Sequence, residues 1–171
     1  IRRRGENLRE GDTALLSGTQ LTPAALSLAA TMGYGEVEVI AKPNISVISV
    51  GDELVSPGNP LIEGAIYESN TFGIASLVER MGGRAQRFES IQDSMDDLRA
   101  ALDEAASTCD AILTSGGVSM GQWDFVRRIM EEEGEALFWR VRMRPGGPPL
   151  FGLWKGTPLF ALPGNPVSSH V

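Results

Sequence analysis

Apolar and polar positions along the chain fall into two regimes. Up to residue 42 the pattern is patchy. Leu21-Thr22-Pro23 opens a helix, with Thr22 as N-cap and Pro23 at the first helical position. Ala25, Leu28, Ala29 and Met32 then recur at helical spacing until Gly33 stops the run. Glu36 to Ile40 alternates like a strand, and Lys42-Pro43 reads as a linker. From residue 44 a regular alternation sets in. The run Ile45-Ser-Val-Ile-Ser-Val50 predicts a buried strand over 44–50. Ile74, Leu77, Val78 and Met81 share one face of a helix over 69–82, ended by Gly82-Gly83. A strand over 84–91 follows. Ser94 then caps a helix with an acidic first turn and a stripe of Met95, Leu98, Leu102 and Ala105. Asp110 to Thr114 is a third strand and 124–132 another helix. Leu137–Met143 and Thr157–Leu162 are further strands, and Pro166 starts a last helix.

Strands separated by helices of this length imply right-handed crossovers. The expected fold is therefore α/β, a three-layer α/β/α arrangement around a mostly parallel sheet. Residues 133–162 leave no room for full crossover helices, so they are expected to form a hairpin or an antiparallel edge. The division read from the pattern is 1–42, the end of a preceding domain with its linker, and 43–171, an α/β domain cut short at its C-terminus. With no initiator Met and a stop just after a turn motif, the chain is expected to belong to a longer protein.

Composition narrows the function classes. The 171 residues carry 15 Lys and Arg against 22 Asp and Glu, a formal net charge of −7, which argues against general nucleic-acid binding. An apolar fraction of 42% excludes disorder. The single Cys109 excludes a disulfide framework or a cysteine-based zinc site and fits a reducing cytosol. No apolar run approaches the roughly 18 residues that a bilayer span needs. Gly (20) and Pro (10) are abundant without repeating, and they concentrate in a few loops.

Those loops leave the predicted strands at the edge where α/β sheets bind ligands. Gly51-Asp52-Glu53-Leu54 sets two carboxylates at a strand end, suited to a hard cation such as Mg²⁺ or to capping the following turn. Thr114-Ser115-Gly116-Gly117-Val118-Ser119-Met120-Gly121 runs from a strand through a glycine loop into a helix. Its amides and hydroxyls suit a phosphate, although the pattern is neither a P-loop nor GxGxxG. Asp124 can cap the helix behind it. Arg144-Pro-Gly-Gly-Pro148-Pro makes a rigid turn that offers a guanidinium to an oxyanion, or else connects two strands with Arg144 solvated. Pro163-Gly164-Asn165-Pro166-Val-Ser168 joins a strand to a helix and makes another anion-ready turn, or an ordinary one. His170, the Glu131–Glu135 run and the dispersed tryptophans read as structural or solvated.

Gly51-Asp-Glu-Leu, Tyr67-Glu-Ser-Asn70, the 114–121 loop, Met143-Arg-Pro-Gly and Leu162-Pro-Gly-Asn-Pro-Val-Ser occur in the order and spacing of one family. Residues 44–171 resemble the MoeA/gephyrin E-domain family, the molybdopterin molybdenumtransferases. Arg4-Gly-Glu6 and Gly18–Pro23 resemble the end of its preceding domain. The resemblance implies a molybdopterin-binding domain. It also implies insertion of molybdate into adenylylated molybdopterin, with Mg²⁺-assisted release of AMP. It implies that Asp52, Glu53 and Asp124 are catalytic, with Asp52 and Asp124 as metal ligands. Ser115, Gly116, Gly117, Ser119 and Gly121 match the positions that hold the pterin phosphate region, and Pro163, Gly164 and Asn165 fall in a second matching loop. Arg144, Pro148 and Ser168 match positions lining the molybdate pocket. A cytoplasmic homodimer follows from the same resemblance. The alternatives within this fold are a molybdopterin adenylyltransferase and a non-catalytic molybdopterin-binding scaffold. The chain departs from the family pattern at Gly147, where a Lys is usual, and at Gln122, where an acid is usual.

Overall fold

The computed structural model describes residues 3–118 and 124–171. The chain divides into two compact units, residues 1–41 and 42–171. In the first unit α1 (Pro23–Thr31) begins as its sequence dictates: the Thr22 hydroxyl accepts the Ala25 amide at 3.3 Å, and Pro23 stands where no amide partner is needed. Residues 36–40 do not form the expected strand. They have no ladder partner among the described residues, and Ile40 is 91% exposed. Alternation makes a strand only where another strand completes its hydrogen bonds.

The second unit runs β1 (Asn44–Ser49), β2 (Leu54–Val55), β3 (Ile66–Tyr67), α2 (Asn70–Arg80), β4 (Arg84–Arg87), α3 (Met95–Thr108), β5 (Ala111–Ser115), α4 (Phe125–Glu132), β6 (Glu135–Trp139), β7 (Leu150–Trp154), β8 (Thr157–Leu162) and α5 (Pro166–Ser169). Six strands form one sheet in the order β4-β1-β5-β8-β7-β6. The first four are parallel neighbours, and β7 is antiparallel to both β8 and β6. β6 therefore runs in the same direction as β8, and the connection from β6 to β7 emerges at the carboxyl edge of the parallel strands.

Period-two alternation on β1, β5 and β8 feeds both faces of the sheet. Ile48, Ile112, Leu159 and Ala161 join Leu98, Leu102, Val126, Ile129 and Met130 of α3 and α4 in the larger core. Val47 packs instead with Ile74 and Ala75 of α2, beside Leu113 and Leu162. This is the expected three-layer, mostly parallel α/β fold.

Several boundaries moved. The strand expected over 84–91 ends its ladder at Arg87, and only Ile91 returns to bridge Val50. The strand expected over 137–143 is Glu135–Trp139, ending where Arg140 takes a φ of 74°. β7 escaped the pattern because Gly152 interrupts its apolar run. A Cβ on Gly152 would strike the Glu135 carbonyl of β6 and approach Met130 Cε to 2.7 Å, so the interruption is a packing requirement. β2 and β3 are two-residue strands, too short for a periodicity.

Candidate functional site

β1, β5 and β8 lie side by side, so their carboxyl ends deliver three loops to one place. These loops border a cavity of about 240 Å³ whose walls include Glu53, Asn70, Asp93, Gly116, Asp124 and Gly164. The glycine loop is pulled close against β1. The Val50 amide donates to the Ser115 carbonyl at 3.0 Å, and the Gly116 amide donates to the Leu162 carbonyl at 3.0 Å. Gly116 has a φ of +94°, and a Cβ there would run into the Val50 carbonyl oxygen. Both demands exclude an L side chain. At Gly117 a Cβ would lie 2.8 Å from Val126 Cγ2, so the loop is also tucked under α4.

Carboxylates also line the cavity. Glu53, Asp93 and Asp124 face the cavity. Asp52 does not; its Oδ1 accepts the Asp93 amide at 2.8 Å and so holds the 91–93 turn in place. Burial pushes the Asp93 carboxyl above its ordinary value, and the negative charges of Asp52 and Glu53 push it further.

The wall between the loops comes from α2. Asn70 donates to Ser115 Oγ at 2.7 Å and to the Gly164 carbonyl at 2.8 Å. Behind it the buried Glu68 accepts the Thr71 amide at 2.8 Å and the Thr71 hydroxyl at 2.6 Å.

Arg144 and Pro148 line a different hollow, of about 650 Å³, together with Arg140, Arg142 and Gly147. The turn between them backs onto α5: a Cβ on Gly146 would lie 3.2 Å from the Ser168 carbonyl. The amides at the start of α5 are not open to an anion as expected. Asn165 Oδ1 accepts those of Val167 and Ser168 at 3.0 and 3.4 Å. Pro163 offers its carbonyl to the Ser115 hydroxyl at 3.4 Å. Ser119, Gly121 and Gln122 lie outside the described residues.

The sequence reading therefore brings Glu53, Ser115, Gly116, Gly117, Asp124 and Gly164 to one cavity, with Asp52 supporting it. It missed Asp93, the anchoring role of Asn70, and Arg140 and Arg142. The alternation of Arg140, Arg142 and Arg144 was a readable signal for one strand-like face. Asp93 was masked by the helix cap that follows it.

A family model described as "Probable molybdopterin binding domain" matches residues 46–171. The chain belongs to this family. Among relatives of this molybdopterin-binding domain, the molybdopterin molybdenumtransferase of Haemophilus influenzae is 39% identical over all of this chain and 42% of its own length. Molybdopterin molybdenumtransferase 2 of Mycobacterium tuberculosis is 41% identical over all of this chain and 44% of its own. The chain thus spans about two-fifths of the length of these curated relatives. The solved molybdopterin biosynthesis MoeA protein from Pyrococcus horikoshii superposes with a TM-score of 0.83 at 32% identity, over 96% of this chain and 41% of that one. The tungsten cofactor synthesizing protein MoaB from Pyrococcus furiosus, at 17% identity and a TM-score of 0.58, covers 77% of this chain and 88% of that one and shares the fold.

Proposed function

We propose that this molybdopterin-binding domain carries the catalytic edge of a molybdenumtransferase, which inserts molybdate into adenylylated molybdopterin with Mg²⁺-dependent release of AMP. The observation that carries the reading is the meeting of a strand-end glycine loop with Glu53, Asp93 and Asp124 around one cavity. The names of the relatives, molybdopterin molybdenumtransferases, support this reading.

The reaction joins two anions and then cleaves a phosphoanhydride. The amides of Gly116 and Gly117 offer fixed dipoles to the phosphate region of the pterin nucleotide, where a side chain would hold it off. Arg144, with Arg140 and Arg142, supplies cationic donors for the tetrahedral oxyanion in the neighbouring hollow. The carboxylate oxygens of Glu53, Asp93 and Asp124 that line the cavity would suit a hard divalent cation, whereas Asp52, expected as a ligand, is turned to the 91–93 turn instead. Among the described residues no three acidic, His or Cys groups are already gathered tightly enough to hold a metal. When bound, Mg²⁺ supplies stabilisation of charge on the leaving phosphate. Asp93 is held for its part by the Asp52 carboxylate on its amide. The same reading carries a cytoplasmic homodimer; no helix among the described residues is long and apolar enough to cross a membrane.

The test is a turnover assay on the full-length protein with molybdopterin-AMP, molybdate and Mg²⁺. AMP release requiring both molybdate and Mg²⁺ is expected. Absence of AMP release refutes the catalytic reading, and ATP-dependent adenylylation of molybdopterin replaces it with the adenylyltransferase.

A further inference from the structure

The loops after β5 and β8 are tied together by a residue from neither of them. Asn70, the first residue of α2, donates through Nδ2 to Ser115 Oγ at 2.7 Å and to the Gly164 carbonyl at 2.8 Å. A carbonyl can only accept, so the amide cannot be turned over. Oδ1 is left buried with no hydrogen-bond partner among the described residues. Burying an unmet acceptor is costly, and the arrangement is kept for what the other end of the amide does. The residue is also braced from behind. The next residue, Thr71, is held by Glu68 through both its amide and its hydroxyl. Arg87 donates to the Thr71 hydroxyl at 2.9 Å while its guanidinium lies 3.3 Å over the Phe72 ring.

We propose that Asn70 is a positioning residue that fixes the polarity of the Ser115 hydroxyl, turning it into a donor for an anion in the cavity; this rests on the functional reading above. Ser115 Oγ accepts from Asn70, so its own proton must be donated elsewhere. Among the described residues the acceptor it meets is the Pro163 carbonyl at 3.4 Å, a long contact. A phosphate oxygen seated at the adjoining Gly116 and Gly117 amides is a better acceptor, because its bond is charge-assisted. Asn70 thereby acts through Ser115 and never needs to touch the substrate.

Removing the donor releases this polarity. In Asn70→Ala the Ser115 hydroxyl is free to rotate, and no new charge is set beside the anion. The measurement is the affinity of the full-length protein for molybdopterin-AMP in Asn70→Ala, Ser115→Ala and the double variant, with melting curves to confirm folding. Each single change is expected to weaken binding severalfold to about tenfold, and the double change no more than the larger single loss. Losses that multiply overturn the proposal, because the two residues then act independently. So does an unchanged affinity in Asn70→Ala. If Asn70→Ala does not fold, Asn70→Ser takes its place and is read in the same way. A wild-type protein that does not bind molybdopterin-AMP refutes the functional reading and this inference together. Binding with multiplying losses refutes the inference alone.

Discussion

Gly116→Ala separates two demands that the glycine loop places on its backbone. Gly116 and Gly82 share a φ of +94°, but their surroundings differ. A Cβ on Gly82 meets nothing within 4 Å, whereas one on Gly116 collides with the Val50 carbonyl oxygen. Holding an L residue in that backbone region costs about 1–2 kcal/mol, the whole expected loss for Gly82→Ala. Forcing an extra methyl into a closed contact adds about 1–3 kcal/mol, so Gly116→Ala should lose about 2–5 kcal/mol in all. The neighbour offers no easy relief. The obstacle is backbone, and the Val50 amide is itself bonded to the Ser115 carbonyl. Urea denaturation of both variants and the wild type, read at a common slope, gives the comparison. If Gly116→Ala exceeds Gly82→Ala by less than about 0.5 kcal/mol, the close approach of the two strand ends is not a constraint on the fold.

Two further expectations bear on the charges. Asp93 titrates above its ordinary 3.8 in the folded chain, from burial first and from Asp52 and Glu53 next. The folded state therefore takes up that proton first, and stability falls as pH rises from the unfolded value through the folded one. Asp93→Asn should be more stable than the wild type at pH 7 and lose that advantage below the unfolded value, while raising the Mg²⁺ requirement of AMP release about 10- to 100-fold. Equal pH–stability profiles would remove the repulsion from the account. In the second hollow, Arg144→Ala should raise the molybdate KM about 10- to 150-fold and leave molybdopterin-AMP affinity unchanged. Gly147→Lys should lower that KM, with a shift of a few tenths of an ångström because its Cβ would sit 3.0 Å from the Met143 carbonyl. A molybdate KM indifferent to both substitutions detaches the hollow from the oxyanion.

What could be read from the sequence is what local patterning determines. β1, α2, α3 and β5 announce themselves because their core faces recur at fixed periods and their caps are local: the Ser94 hydroxyl accepts the Asp97 amide three residues on. Gly116 and Gly117 were visible as a loop, but the reason for Gly116 lies on β1, at Val50. The same limit hid the rest of the site. Asp52 and Asp93 meet across 41 residues, and Asn70 reaches Gly164 across 94. Asn70 reads locally as an ordinary helix start, and only the strand order reveals its work. The alternating Glu36–Ile40 run fails for the opposite reason, since local pattern was all it had.

On the proposed function, the single reversed strand accounts for two anion sites on one sheet edge. β7 runs back between β8 and β6, so the 140–149 connection returns to the carboxyl edge, where the glycine loops already lie. It arrives two strands further along, beyond β8. Carboxylates gather around the β1, β5 and β8 ends, and arginines gather on the β6–β7 connection. Among the described residues no ion pair joins Arg140, Arg142 or Arg144 to a carboxylate, and Arg140 lies instead 5.0 Å from the Trp139 ring. Had the two sets shared a wall they would neutralise one another, and each ligand would first have to break those pairs. In the proposed reaction, spacing them along the edge would leave the guanidinium groups for an oxyanion and the carboxylates for a cation accompanying phosphate. The net charge of −7 is thus compatible with binding two anions, because the few cations that matter are kept away from the acids.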